Sequence, residues 1–483
     1  MGCDPLYLDP RINGPLRMVL DQSELLAGLV DALGSPLNVV LPDQVAANVA
    51  AFRSVYARHR LRGTIYFANK ASRSSALLRA LAATEAGVDV ASLNELRHAL
   101  GSGFAPTRVL ATGPKTEPFL WLAARSGASV HLDSLAELRG LIGIVEDFGL
   151  PPVRVVPRLC GFEHTGARVL TRPSRFGIEP AALGPVVDLL VARRDVVDCA
   201  GVGYHLDTSS LEEKAAALEA CVVTLDDLRR GGLTPSTVDI GGGFGVTYLA
   251  DVARWDRYTT ALTEAVLGTR PPLTWQGHGY GLRAESGTIR GTLRLYPAAR
   301  TDAAHTYLDR LLATPGPRLG RGLSTVLLEN LVDLDIEPGR ALLDQCGLTL
   351  ARVAEVGYRA GQCLIRVEAN RDDISFEAGG VLVDPLVLPR DPAREARPCQ
   401  AYLVGNLSLE HDFLTHRLVA LRHTPACGDL LAFVNTAGYF SDFSAGHALR
   451  QPVATTVAVA VSGAGTWRWC HDEQYWPTLG ACP

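Results

Sequence analysis

The chain has 483 residues, 47% of them hydrophobic and 20% charged, with a formal net charge of -5. That length exceeds one ordinary domain and points to two, one of them barrel-sized; the composition excludes a disordered chain, and a core this large needs no disulfide or metal staple. The acidic balance and the lack of any Lys/Arg-rich run exclude nucleic acid as the main partner.

The opening stretch MGCDPLYLDPRINGPL has no basic n-region followed by an apolar run, so no signal peptide is expected there. No apolar segment is long enough to span a membrane, and no membrane partner is expected. The ten cysteines are scattered, without a CxxC pair or a zinc-like His spacing. They read as reduced thiols of a cytoplasmic protein with no metal site.

From about residue 36 short β-like runs alternate with amphipathic helical ones. PLNVVL is a strand, followed by DQVAANVAAFRSVYARH at helical spacing. TIYFANKA is strand-like, then SSALLRALAATEA is a helix; VDVAS and LNELRHALGSG repeat the pair. RVLATGP with FLWLAARSG, and SVHLDS with LAELRGLIGIVEDFG, continue the cycle. VRVVPRL, VVDCAGVGYHLD and STVDIGGGFG are later strands, the last preceded by the long helix LEEKAAALEACVVTLDDLRRG. This alternation means βα units on a parallel sheet, and about eight units before IEPGRALL suit a closed (β/α)8 barrel over 38–345.

The stretch at about 248–325 is less regular and reads as a helical elaboration on the barrel. After about residue 345 the texture changes to strands separated by turn residues, among them LTLARVAEVGYRA, CLIRVEAN, GDLLAFVN and TTVAVAVSG. The expected fold is therefore α/β, a barrel over 38–345 joined to a β-rich domain over 346–483. The N-terminal segment 1–37 is expected to pack with the latter.

Four features carry chemistry. Lys70 ends a strand-like run at the barrel face where active sites lie; burial would free its amine to attack an aldehyde, whereas a plain reading is a snorkelling surface lysine. Gly241, Gly242 and Gly243 follow a strand directly, an arrangement that lets backbone N–H groups approach a phosphate, or simply a tight turn. Glu337 in Glu337-Pro338-Gly339-Arg340 could hold a protonated ring nitrogen, or pair with Arg340. His205 could stack on a flat cofactor, or be a hydrogen-bonded core histidine.

The order and spacing of the four resemble the fold-type III pyridoxal-phosphate (PLP) decarboxylases, which include ornithine, arginine and diaminopimelate decarboxylases. YFANKA, GVDVASLNEL, DIGGGFG and EPGR are similar to that family's motifs, and the likeness runs from about residue 36 to 450. It implies a barrel of the alanine-racemase-like type with PLP as cofactor. By position, Lys70 would form the Schiff base, His205 would stack on the ring and Glu337 would face its nitrogen. Gly241, Gly242, Gly243, Gly339, Arg340 and Thr208 would hold the phosphate. Asp89 and Glu95 would support the site, and Tyr439, in GDLLAFVNTAGYFSDFSA, would contact the cofactor. The family also implies a homodimer whose active sites are shared between subunits.

Two segments depart from that pattern. Where the family carries a cysteine across the dimer, this chain has Ser408 between Gly405 and Asp412. An alcohol is a far weaker acid than a thiol, so reprotonation of the product carbanion would be altered. Ser408, Glu410 and Asp412 become candidates for substrate binding, Ser408 also for catalysis. His205-Leu206-Asp207-Thr208 replaces the family's H-x-G-S, and the elaboration with Trp275, His278 and Tyr280 is positioned in sequence to reshape a pocket. The expected activity is decarboxylation of an α-amino acid or amino-acid conjugate in specialised biosynthesis. The rivals are racemisation, epimerisation or decarboxylation-linked oxidative deamination on the same scaffold, and a catalytically silent PLP-binding protein.

Overall fold

The computed structural model describes residues 5–162, 174–461 and 467–477. Eight parallel strands succeed one another around a barrel: Tyr66–Ala68, Gly87–Val90, Val109–Ala111, Ser129–Leu132, Val153–Leu159, Gly201–Tyr204, Thr237–Asp239 and Asp333–Asp335. A parallel bridge between Ile65 and Ile336 joins the last strand to the first, reinforced by the Tyr66 amide donating to the Ile336 carbonyl at 2.8 Å. Helices between the strands start where the sequence supplies a cap. The hydroxyls of Ser74, Ser92, Ser134 and Ser210 each accept the backbone N–H three residues on. Helix Asp43–His59 closes the outer ring, its Phe52 edge-on to Phe244 at 5.4 Å.

A second sheet is ordered Phe413–Leu421, Cys399–Val404, Gln362–Val367, Gly347–Arg359, Leu37–Val40, Thr455–Val461, Trp467–His471. Leu37–Val40, expected from alternation to open the barrel, is instead antiparallel to Gly347–Arg359 and parallel to Thr455–Val461. Alternation reports element type, and a four-residue apolar strand fits the interior of either sheet. Helices Gly14–Leu20 and Ser23–Leu33 bury Leu16, Val19, Leu26 and Val30 against Leu348, Leu350 and Leu430 of that sheet.

The stretch expected to be helical at 248–325 is mixed. Helices Val252–Val266, Ala304–Ala313 and Leu323–Glu329 flank a two-stranded hairpin, Leu282–Glu285 with Thr288–Gly291. Its aromatic part docks on the second sheet. Trp275 packs against Tyr402 and Phe413 at 5.1 and 5.0 Å, His278 stacks on His416 at 4.5 Å, and the Tyr280 hydroxyl donates to Glu377 at 2.8 Å. Cys160, Cys199, Cys221, Cys346, Cys363, Cys399 and Cys427 are free thiols. Among the described residues no helix is long and apolar enough to cross a membrane.

Candidate active site

The C-terminal ends of the barrel strands converge on a cavity of about 420 Å3 lined by Lys70, His205, Thr208, Gly242, Gly243, Glu337, Gly339, Arg340 and Tyr439. An adjoining lobe of about 520 Å3 shares Lys70, His205 and Glu337 and adds Thr112, Arg158 and Arg175. Nine residues picked out by strand-end position and motif therefore surround one space. Gly241 lies just behind it at φ +64°, where an added Cβ would sit 2.7 Å from the Tyr204 carbonyl oxygen. Only glycine suits that backbone at that approach.

Lys70 follows its strand in a short 3-10 turn, Asn69–Ala71, and opens into the cavity. Burial pulls its ammonium down, but Asp89, Tyr439 and Glu337 outweigh burial and raise it above the ordinary lysine value. Asp89 is buried beneath, and the Thr112 hydroxyl donates to it. Glu95, placed by motif near the site, reaches back to the Ala91 N–H at 2.6 Å while Ser92 accepts from its own amide, so it staples the start of helix Leu93–Gly101.

Glu337 is almost fully buried, with His205 Nδ1 3.4 Å and His131 Nδ1 3.7 Å from its oxygens. Burial raises its pKa, but the His205 contact, His131 and Arg158 outweigh it and hold the carboxyl below the usual range. His131, pushed down to about 4 chiefly by burial, is neutral near pH 7. The charge on Glu337 thus leans on His205 and Arg158. His131 Nε2 lies 3.5 Å from Asp239, whose buried carboxyl is raised by desolvation and by its neighbours Glu337 and Asp335.

The other end of the cavity is cationic. The Arg340 guanidinium stacks over Tyr296 at 4.9 Å and Tyr439 at 5.3 Å, and its buried Nη1 has no hydrogen-bond partner. Arg300 also lines the cavity, 4.5 Å over the ring of Tyr296, with a buried Nε equally without a hydrogen-bond partner. Tyr296 and Arg300 come from the elaboration, and no motif marked them. Trp275, His278 and Tyr280, the residues the sequence singled out there, are engaged with the second sheet instead. His131 and Arg158 also escaped notice, although each sits in a barrel strand.

Ser408, Glu410 and Asp412 are not brought to the cavity of their own chain. Ser408 and Glu410 are exposed. Asp412 is buried and accepts the Arg371 and Leu407 amides at 3.0 and 2.7 Å. One oxygen ties the 405–412 loop to residue 371 and the other holds the loop itself. Asp207 is exposed and lines both lobes of the cavity.

Residues 43–289 match the family described as pyridoxal-dependent decarboxylase, pyridoxal binding domain. An uncharacterized protein of Sinorhizobium fredii is 32% identical over 440 residues, 89% of each chain. The diaminopimelate decarboxylase of Actinosynnema pretiosum is 27% identical over 434 residues, 88% of this chain and 85% of that one. The diaminopimelate decarboxylase of M. jannaschii, solved with L-lysine, superposes with a TM-score of 0.69 at 16% identity, covering 92% of this chain and 91% of the other. The arginine decarboxylase of the Paramecium bursaria Chlorella virus gives 0.64 at 17% identity over 90% of this chain and all of its own.

Proposed function

The chain belongs to the pyridoxal-dependent decarboxylases, and from that premise we propose that it removes the carboxylate of an α-amino acid or amino-acid conjugate in specialised biosynthesis. The observation that carries the reading is that Lys70, the glycine run, Arg340 and Glu337 face one cavity. The residues present fit pyridoxal phosphate. Two buried guanidinium nitrogens without partners and a glycine turn with no room for a Cβ make an anion cradle at one end. A carboxylate held ionised lies towards the other end, and an accessible amine stands between them.

When bound, the cofactor supplies an aldehyde to Lys70 and a ring that accepts the electrons of the breaking bond. The chain supplies the rest. Gly241–Gly243, Thr208, Arg340 and Tyr439 would hold the phosphate. Glu337, kept ionised by His205 and Arg158, would accept from a protonated ring nitrogen. His205 would pack against the ring. Arg158 and Arg175 in the adjoining lobe suit a substrate carboxylate. The exposed Ser408 and Glu410 are supplied to the cavity of a second subunit, making the working unit a homodimer in the cytoplasm. Ser408, standing where the family has cysteine, is the reason to follow the product as well as the rate.

The test uses purified protein reconstituted with PLP. Borohydride should fix the cofactor at Lys70, as seen by peptide mass, and a panel of amino acids and conjugates should release CO2 with one or a few members. The Lys70→Ala variant should do neither. Turnover without CO2, or no adduct at position 70, would remove the reading.

A further inference from the structure

One costly group in the barrel is not used by this chemistry. Lys214 lies in helix Leu211–Arg230, and its side chain is completely buried. Lysine is almost never buried unless paired. Yet among the described residues no carboxylate forms an ion pair with it. Its Nζ donates to the Gly242 carbonyl, and the ammonium otherwise faces the rings of Phe244 at 5.2 Å and Tyr307 at 5.8 Å. The helix carrying it is fixed to the barrel by the Tyr204 hydroxyl, which donates to the Lys214 carbonyl at 2.9 Å. Tyr204 immediately precedes His205.

The geometry of a peptide bond gives this contact a direction. In a trans peptide the C=O and N–H point to opposite sides. With the Gly242 carbonyl drawn toward the helix, the Gly243 N–H of the same peptide is turned the other way, to the side on which Gly242 and Gly243 line the cavity. Gly243 has φ +90°, and an added Cβ would lie 3.0 Å from Lys214 Nζ, so the lysine tip presses directly on the loop. A cation also sits behind the loop, in surroundings where its field is little screened.

We propose that Lys214 is a positioning residue for the anion cradle: it pins the Gly242 carbonyl, aims the Gly243 N–H into the cavity and places a positive charge behind the cofactor's phosphate. This rests on the cavity holding pyridoxal phosphate. The lysine touches neither cofactor nor substrate and acts through the loop.

Lys214→Met keeps the stem's volume and removes the charge and the donor; Lys214→Gln keeps a shorter, neutral donor. Removing an unpaired buried charge should leave the apoprotein's melting temperature unchanged or higher. The PLP dissociation constant should rise about tenfold in Lys214→Met, and less in Lys214→Gln. The phosphorus-31 resonance of the bound cofactor should move from its wild-type position toward that of free PLP. Affinity and resonance equal to wild type in a folded variant would overturn the proposal. So would loss of the folded apoprotein in both variants, which would make Lys214 a structural support. If wild-type protein itself yields no borohydride-reducible adduct at Lys70, it is the cofactor reading that fails.

Discussion

Glu337, Asp89, Asp239 and Asp335 share the interior of one barrel, and four full negative charges cannot coexist there. The structure divides them. Glu337 keeps its charge through His205 and Arg158, while burial and mutual repulsion raise Asp89 and Asp239. Asp335 is pushed up to about 7, first by burial and against the pull of the Thr64 N–H, which it accepts at 2.6 Å. An acid whose folded pKa is raised favours the folded state at low pH, and that contribution is lost as pH rises from the unfolded value of about 3.9 through about 7. Asp335→Asn keeps the acceptor for Thr64 and cannot ionise. Its melting temperature relative to wild type should therefore be higher at pH 8 than at pH 5, and a difference independent of pH would refute the assignment. At this scale Lys70, Glu337 and the glycines were legible because each closes a strand, where a polar residue is conspicuous. Lys214 was not, because a lysine among glutamates early in a helix reads as a solvated face. Arg300 lies in a stretch without periodicity, so nothing in its neighbours marks it.

Secondary structure was largely legible, because strand and helix periods differ and serine caps announce helix starts. Pairing was less so. Leu37–Val40 has the period and length of a barrel strand, and only its partners, Gly347–Arg359 and Thr455–Val461, reveal its sheet. Equally hidden was the buried ion pair that helps to hold the first residues of the N-terminal segment, since its members lie far apart in the chain. Arg417 and Asp384 are both buried and form that pair; Asp384 also accepts the Leu8 amide at 2.6 Å, and Arg417 lies 5.4 Å over Tyr258. Removing one partner of a buried pair leaves the other charged and uncompensated. Arg417→Met should therefore cost about 3–5 kcal/mol in chemical denaturation. Adding Asp384→Asn should recover part of that loss, whereas a double variant no better than the single would count against the pairing.

Over the whole molecule the cavity is built by both domains: Tyr439 reaches it from the second sheet's side, and its amide donates to the Ala71 carbonyl at 2.8 Å, one residue beyond Lys70. Ser408 and Glu410 point elsewhere, and a shared dimer site gives them a use. Ser408→Trp is bulky enough to obstruct a neighbour's cavity, and Lys70→Ala disables its own. If sites are shared, co-expressing the two inactive variants should restore about a quarter of wild-type activity, because half the dimers are mixed and each mixed dimer keeps one intact site. A Ser408→Trp protein that keeps wild-type activity by itself would place 405–412 outside the active site, and two inactive variants that show no recovery together would refute a site shared between subunits.

The strand Leu37–Val40 sits between two others that follow it by more than three hundred and more than four hundred residues. During synthesis on the ribosome it emerges early with both edges bare, while the barrel strands that come next find their partners nearby. Until the last of the chain has been made it offers open backbone to any neighbouring nascent copy. Slow translation or high expression should therefore penalise this protein through that waiting strand, however stable the finished barrel is.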